Sequence, residues 1–177
     1  MADITHGTWI KDGKAVDAAY QGGTKVYGRN LYIDTRDFNN PSAWNNFGTW
    51  SKSGEIYNGM TVMSTTNDWN GLFQGRDVKK GETYTFSVYA RYNSGTGKSN
   101  IYPSPANVRY TDPGSMTYSL NETWQRIYIT FVITVNGNIQ PRLERTNDNT
   151  NTLLIAGPKL ERGSVATPWT PAPEDVM

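Results

Sequence analysis

The chain has 177 residues and a net charge of +1, with its 17 Lys and Arg and 16 Asp and Glu interspersed along its length. That balance excludes the one-signed surface of a nucleic-acid binder or a polybasic membrane patch. The absence of Cys excludes disulfides, thiolate zinc sites and cysteine nucleophiles, and the single histidine, His6, cannot form a multi-histidine metal site. Only 36% of residues are hydrophobic, yet 12% are aromatic, with 11 Tyr and 6 Trp, a balance that favours strands and turns over helices. The first 25 residues lack the apolar run of a signal peptide, and no stretch is long enough to span a bilayer. The expected product is made and assembled in a cytoplasm.

Residues 1–29 read as a β-meander. Asp12-Gly13 and Gly22-Gly23 are hairpin-turn dipeptides that separate GTWIK, KAVDAAY and TKVYG. So short a meander cannot bury enough apolar surface to stand alone, so it must pack on the main domain, on copies of itself or on a partner. From residue 30 onward, LYIDTR, MTVMS, WNGLFQ, ETYTFSVYARY, ANVRY, TWQRIYITFVITV, NIQPRLER and NTLLIAGPKLE alternate with turn clusters such as SKSGE, NSGTG and TNDNTN. Strands at this spacing, without sustained helical period, predict an all-β sandwich or barrel.

Strand alternation assigns the faces. Tyr84, Phe86, Val88 and Ala90 fall together, opposite Thr85, Ser87, Tyr89 and Arg91. Ile127, Ile129, Phe131, Ile133 and Val135 point inward, with Tyr128 outward. Ile139, Pro141 and Leu143 oppose Gln140, Arg142 and Glu144. One packed and one solvated face per sheet describes a sandwich. The tail PWTPAP can be neither helix nor central strand, and a Trp between prolines predicts an extended strap laid over the finished fold.

The runs NLYIDTRDF, VKKGETYTFSVYAR, ETWQRIYITFVI and LLIAGPKLERGSVATPWTPAPED, in that order, resemble the jelly-roll carbohydrate-binding-type modules of tail and baseplate proteins from phages of Gram-positive bacteria. The resemblance covers residues 30–175, and its ending is the most specific part. It implies a jelly-roll β-sandwich over 30–177 with the meander of 1–29 as an attachment segment. It also implies a virion location, host cell-wall polysaccharide and other virion proteins as partners, with a homo-oligomer left open. A structural Ca²⁺ comes with the resemblance as an alternative for TNDNTNT, whose residues otherwise form a turn through local hydrogen bonds. No other cofactor and no metal site is expected.

Chemistry-bearing motifs are few. NSGTGKSN ends in GKS but lacks the glycine and the helix of a phosphate loop, and reads as a hairpin loop. There is no G-x-S-x-G, and the Glu residues are scattered rather than paired. What remains is the outward face. Sugar rings lie on aromatic rings while their hydroxyls need paired donors and acceptors. Tyr89 and Arg91 on one strand, Tyr128 on a second, and Arg142 and Glu144 on a third meet that need if the strands are neighbours, with Trp69 at the edge. The expectation is a non-catalytic virion protein binding wall saccharide. Its rivals are a structural virion protein of the same fold and a polysaccharide hydrolase.

Overall fold

The computed structural model describes residues 3–5 and 7–177, so His6 lies outside the described residues. In chain order the strands are β1 (Asp3–Thr5), β2 (Thr8–Lys11), β3 (Lys14–Ala15), β4 (Ala18–Gln21), β5 (Thr24–Gly28), β6 (Ser51–Tyr57), β7 (Met60–Thr65), β8 (Arg76–Val78), β9 (Thr83–Tyr92), β10 (Gly97–Tyr102), β11 (Thr111–Asp112), β12 (Met116–Leu120), β13 (Gln125–Ile133), β14 (Gly137–Ile139), β15 (Arg142–Arg145) and β16 (Leu153–Arg162). A six-stranded antiparallel sheet, ordered β11-β13-β9-β16-β7-β6, faces a three-stranded sheet, β12-β10-β15. The fold is a jelly-roll β-sandwich.

Alternation places the core. Phe86 and Val88 of β9 and Ile129 and Phe131 of β13 meet Ile101 of β10 and Leu143 of β15 between the sheets. Val135 departs from the expected inward set, because β13 ends at Ile133 and Val135 is exposed. LYIDTR is not a strand but the start of a turn-rich segment that closes one end of the sandwich. Tyr32 enters the core from it and donates its hydroxyl to the Pro141 carbonyl at 2.6 Å. Asp34 holds the segment folded, accepting from the Asn39 and Asn40 amides and the Trp44 indole. WNGLFQ and ANVRY are likewise irregular, whereas SKSGE, read as a turn, begins β6. NIQPRLER is split at Gln140-Pro141, so that β14 pairs with β8 and β15 with β10.

The outward face of the six-stranded sheet is not solvated as expected. The strap and the N-terminal strands lie across it, and Thr85 and Ser87 are buried beneath them. Arg126 reaches from β13 to the Ser87 hydroxyl and to the carbonyls of Ala166 and Thr167 in the strap. Lys159, fully buried, donates to Thr167 Oγ1, the Pro168 carbonyl and Thr170 Oγ1. Beside it Glu161 accepts from the amide and hydroxyl of Thr167, and Lys25 of β5 lies 3.4 Å away. Gly28 is needed there, because a Cβ would sit 2.1 Å from Glu161 Oε1.

Trp169 is half-buried in this layer, packed against the cluster of Met60, Val62, Leu154 and Ala156, and donates to Thr35 Oγ1 at 3.2 Å. The N-terminal strands dock on the same layer. Trp9 stacks on Tyr27 at 5.8 Å, the Tyr27 hydroxyl pairs with Thr8, and Lys159 lies over the Tyr27 ring. Residues 7–28 therefore pack on the face of the sandwich through its strap.

Candidate functional site

The opposite outward face, that of the three-stranded sheet, is open. Its groove of about 760 Å³ is bounded by β10, β15, the 103–109 loop and the 69–73 segment. Proline supplies the loop: Pro103 and Pro105 cannot extend β10, and the chain bulges outward before returning at β11. The 69–73 segment runs so close to β15 that a Cβ on Gly71 would stand 2.6 Å from the Leu143 carbonyl.

Arg142 and Glu144 form the floor, 7% and 5% exposed. Arg142 Nε donates to Glu144 Oε1 at 2.6 Å, and Nη1 donates to the carbonyls of Ser104 and Gln140, each at 2.9 Å. The guanidinium lies between two rings, 5.7 Å from the centroids of Phe73 and Tyr102. Tyr102 is the register partner of Arg142, so strand pairing itself brings ring and cation together. Among the described residues, Arg142 Nη2 and Glu144 Oε2 have no hydrogen-bond partner in the protein. The floor thus offers one donor and one acceptor, on a pair whose charges cancel, flanked by aromatic faces. Trp69, 45% exposed, stands among the lining residues, as does Arg109, exposed and paired with Asp112 at 3.1 Å.

The six residues expected from the sequence divide into two groups. Trp69, Arg142 and Glu144 line the groove. Tyr89, Arg91 and Tyr128 belong to β9 and β13 of the six-stranded sheet, on the far side of the sandwich. The condition that the three strands be neighbours is not met, because β15 pairs with β10 in the other sheet. On the far side the polar and aromatic groups are engaged with one another. Arg91 pairs with Glu55 at 2.7 Å and lies over Trp124, which stacks on Tyr57 at 4.4 Å. Tyr89 meets Tyr57 edge-on with Arg126 over its ring. Tyr128 is 49% exposed on this face. Tyr102, Phe73 and the 103–109 loop escaped the sequence reading. Only the Pro-x-Pro of 103–105, flanked by Tyr102, signalled a rigid, ring-bearing loop.

NSGTG proves to be a crossover, not a hairpin loop, since it leads from β9 in one sheet to β10 in the other. In the TNDNTN turn, Asn149 donates to Thr146, while Arg145 donates to the carbonyls of Asn149 and Asn151. Among the described residues, no group of three or more His, Asp or Glu side chains converges.

The sequence profile of a family described as carbohydrate-binding domain matches residues 30–144, most of the sandwich and all of the groove's floor. The chain belongs to the carbohydrate-binding domain family. Two carbohydrate-binding modules show the same fold at low identity. A CBM4 module is 17% identical, with 78% of this chain and 97% of that one covered at a TM-score of 0.51. A family 16 carbohydrate-binding module is 16% identical, with 74% and 99% covered at 0.50. The tripod from the baseplate of bacteriophage Tuc2009 is 22% identical, with 85% and 61% covered at 0.47. No curated protein matches the chain. Within this carbohydrate-binding domain the groove's lining joins rings to fixed polar groups.

Proposed function

We propose that the groove binds saccharide without cleaving it, and that the protein is a phage virion accessory that holds host cell-wall polysaccharide during adsorption. The observation that carries the binding reading is the floor: Arg142 and Glu144, fixed between Phe73 and Tyr102, in a member of a carbohydrate-binding family. Hydrolysis by the usual route needs two carboxyl groups flanking the scissile bond, about 5–10 Å apart. Among the described residues, Glu144 is the one carboxylate lining the groove, and it is paired with Arg142. The virion setting rests on the likeness of the PKLERGS…ATPWTPAPED ending to phage tail and baseplate modules. In that setting the N-terminal strands attach the module to other virion proteins, with Tyr20 and Val26 exposed on the β4–β5 hairpin.

One open groove offers a few stacked rings and water-exposed hydrogen bonds, so a single site binds weakly, on the order of millimolar to tens of micromolar. Several copies facing a repetitive polymer raise avidity by about 10²–10⁴ without any new contact. The test is a titration of purified Gram-positive wall polysaccharide against wild type and Tyr102→Ala, with melting curves as the folding control. Binding by wild type and a loss of about tenfold or more in the variant is the expected result. No binding by wild type would leave a structural virion protein, and release of reducing ends would make it a hydrolase.

A further inference from the structure

Trp69 has three features that together its packing does not explain. Its φ is +59°, in the left-handed region, where a bulky side chain is an outlier. It is 45% exposed, although it lines the groove. Its indole N–H has no partner among the described residues, whereas Trp44, Trp50, Trp124 and Trp169 each donate theirs to Asp34, Asn70, Glu55 and Thr35. A backbone conformation that is costly for its residue persists only when its surroundings over-determine it, and such residues cluster at ligand clamps.

The surroundings here converge on one side chain. Arg145, 5% exposed at the end of β15, accepts the Trp69 amide on its own carbonyl at 3.0 Å. Its guanidinium grips the preceding residue through an ion pair from Nη1 to Asp68 Oδ1. Nε and Nη2 are anchored on the carbonyls of Asn151 and Asn149, at 2.8 and 2.6 Å, so the grip cannot swing. Two weaker ties complete the hold: Asn70 Nδ2 donates to the Asp68 carbonyl, and the Trp50 indole donates to the Asn70 carbonyl, both at 2.6 Å.

We propose that Arg145 is a positioning residue for saccharide binding. Acting through Asp68 and its own carbonyl, it holds residue 69 left-handed so that the Trp69 ring and its free N–H face the ligand already ordered. The inference rests on the saccharide reading of the groove and deepens it. A ring held in place spares the ligand the ordering of that side chain, worth about two- to tenfold in affinity.

Removing Arg145 would strand a part-exposed carboxylate partner and two carbonyls, whereas Asp68→Ala leaves the guanidinium on those two carbonyls, so Asp68→Ala is the variant that reads the positioning, with a melting curve as its folding control. Xylan, mixed-linkage β-glucan, galactan and Gram-positive wall polysaccharide are screened in affinity gels, and the strongest binder is titrated in a double-mutant cycle. Asp68→Ala is expected to weaken binding about two- to tenfold, and to add no loss in a Trp69→Ala background. In the unliganded protein, Trp69→Gly is expected to melt above Trp69→Ala, because glycine alone adopts the left-handed conformation freely. An equal loss from Asp68→Ala in both backgrounds, no loss in either, or a Gly variant that melts below the Ala variant would overturn the proposal. Wild type that binds none of the four polymers would overturn the saccharide reading and the role of Arg145 with it, whatever the melting order.

Discussion

The two outward faces of the sandwich are built from the same residue types and have opposite fates. On the six-stranded sheet, Tyr57, Tyr89, Trp124, Arg91 and Glu55 engage one another, and the strap and N-terminal strands bury what lies alongside. On the three-stranded sheet, Tyr102, Arg142 and Glu144, with Phe73 of the 69–73 segment beside them, are fixed from behind and open in front. The difference lies in who supplies the last partner. Where a neighbouring strand or strap supplies it, rings and charges become a fastening; where only the pair itself does, one donor and one acceptor remain for a ligand. Composition alone does not distinguish a binding surface from a clasp.

The largest effect expected from breaking this contrast lies on the covered face. Glu161→Ala removes the buried carboxylate between Lys25 and Lys159 and leaves the Lys159 ammonium without its acid, a change that costs about 3–5 kcal/mol. Urea denaturation is expected to show that loss. Groove binding measured at low temperature, where the variant is still folded, should remain.

On the open face the expected effect is on affinity rather than stability. Arg142→Lys keeps the charge but loses the planar fork that joins Glu144 to the two carbonyls, and saccharide affinity is expected to fall about tenfold. An unchanged titration would remove the Arg142–Glu144 pair from the site.

The covered face also predicts a pH dependence. Burial pushes the Lys159 ammonium down to about 7, with Arg126 and Lys25 adding to the shift and Glu161 opposing it. The unfolded chain holds that proton up to about 10.4, so between these values unfolding takes up a proton and stability rises with pH. Below pH 7 both states carry the charge and its burial cost is present in full. Above pH 10 the trend reverses, because burial holds the hydroxyls of Tyr27, Tyr32, Tyr84 and Tyr92 above their ordinary value and the unfolded chain ionises first. Melting temperatures from pH 7 to 10 should climb in wild type and flatten in Lys159→Met.

The smallest effect sharpens the contrast by its size. Tyr128 is half-exposed on the covered side and lines no part of the groove, so Tyr128→Ala is expected to change stability by less than about 0.5 kcal/mol and groove binding not at all. A clear loss of saccharide binding would move the site to the six-stranded sheet.

What the sequence determined by itself was local. Period-two alternation placed Phe86, Val88, Ile129, Phe131, Ile133 and Leu143 in the core, because each strand's faces follow from its own backbone. The chemistry of PWTPAP marked a non-helical, non-ladder closing strap. Even the groove's floor was half legible, since Arg142 and Glu144 alternate with Leu143 on β15. What only the tertiary structure decided was which strands share a sheet. A crossover after β9 and the break at Pro141 send β10 and β15 to the other layer, so Tyr89 and Arg142 face away from each other though both point outward. Sheet membership depends on contacts between residues far apart in the chain, and alternation says which face a side chain is on but not whose face it meets. The same holds for the strap: that it closes the fold is written in its prolines, but that it hides Thr85 and Ser87 and takes the Lys159 ammonium follows only from where it lies.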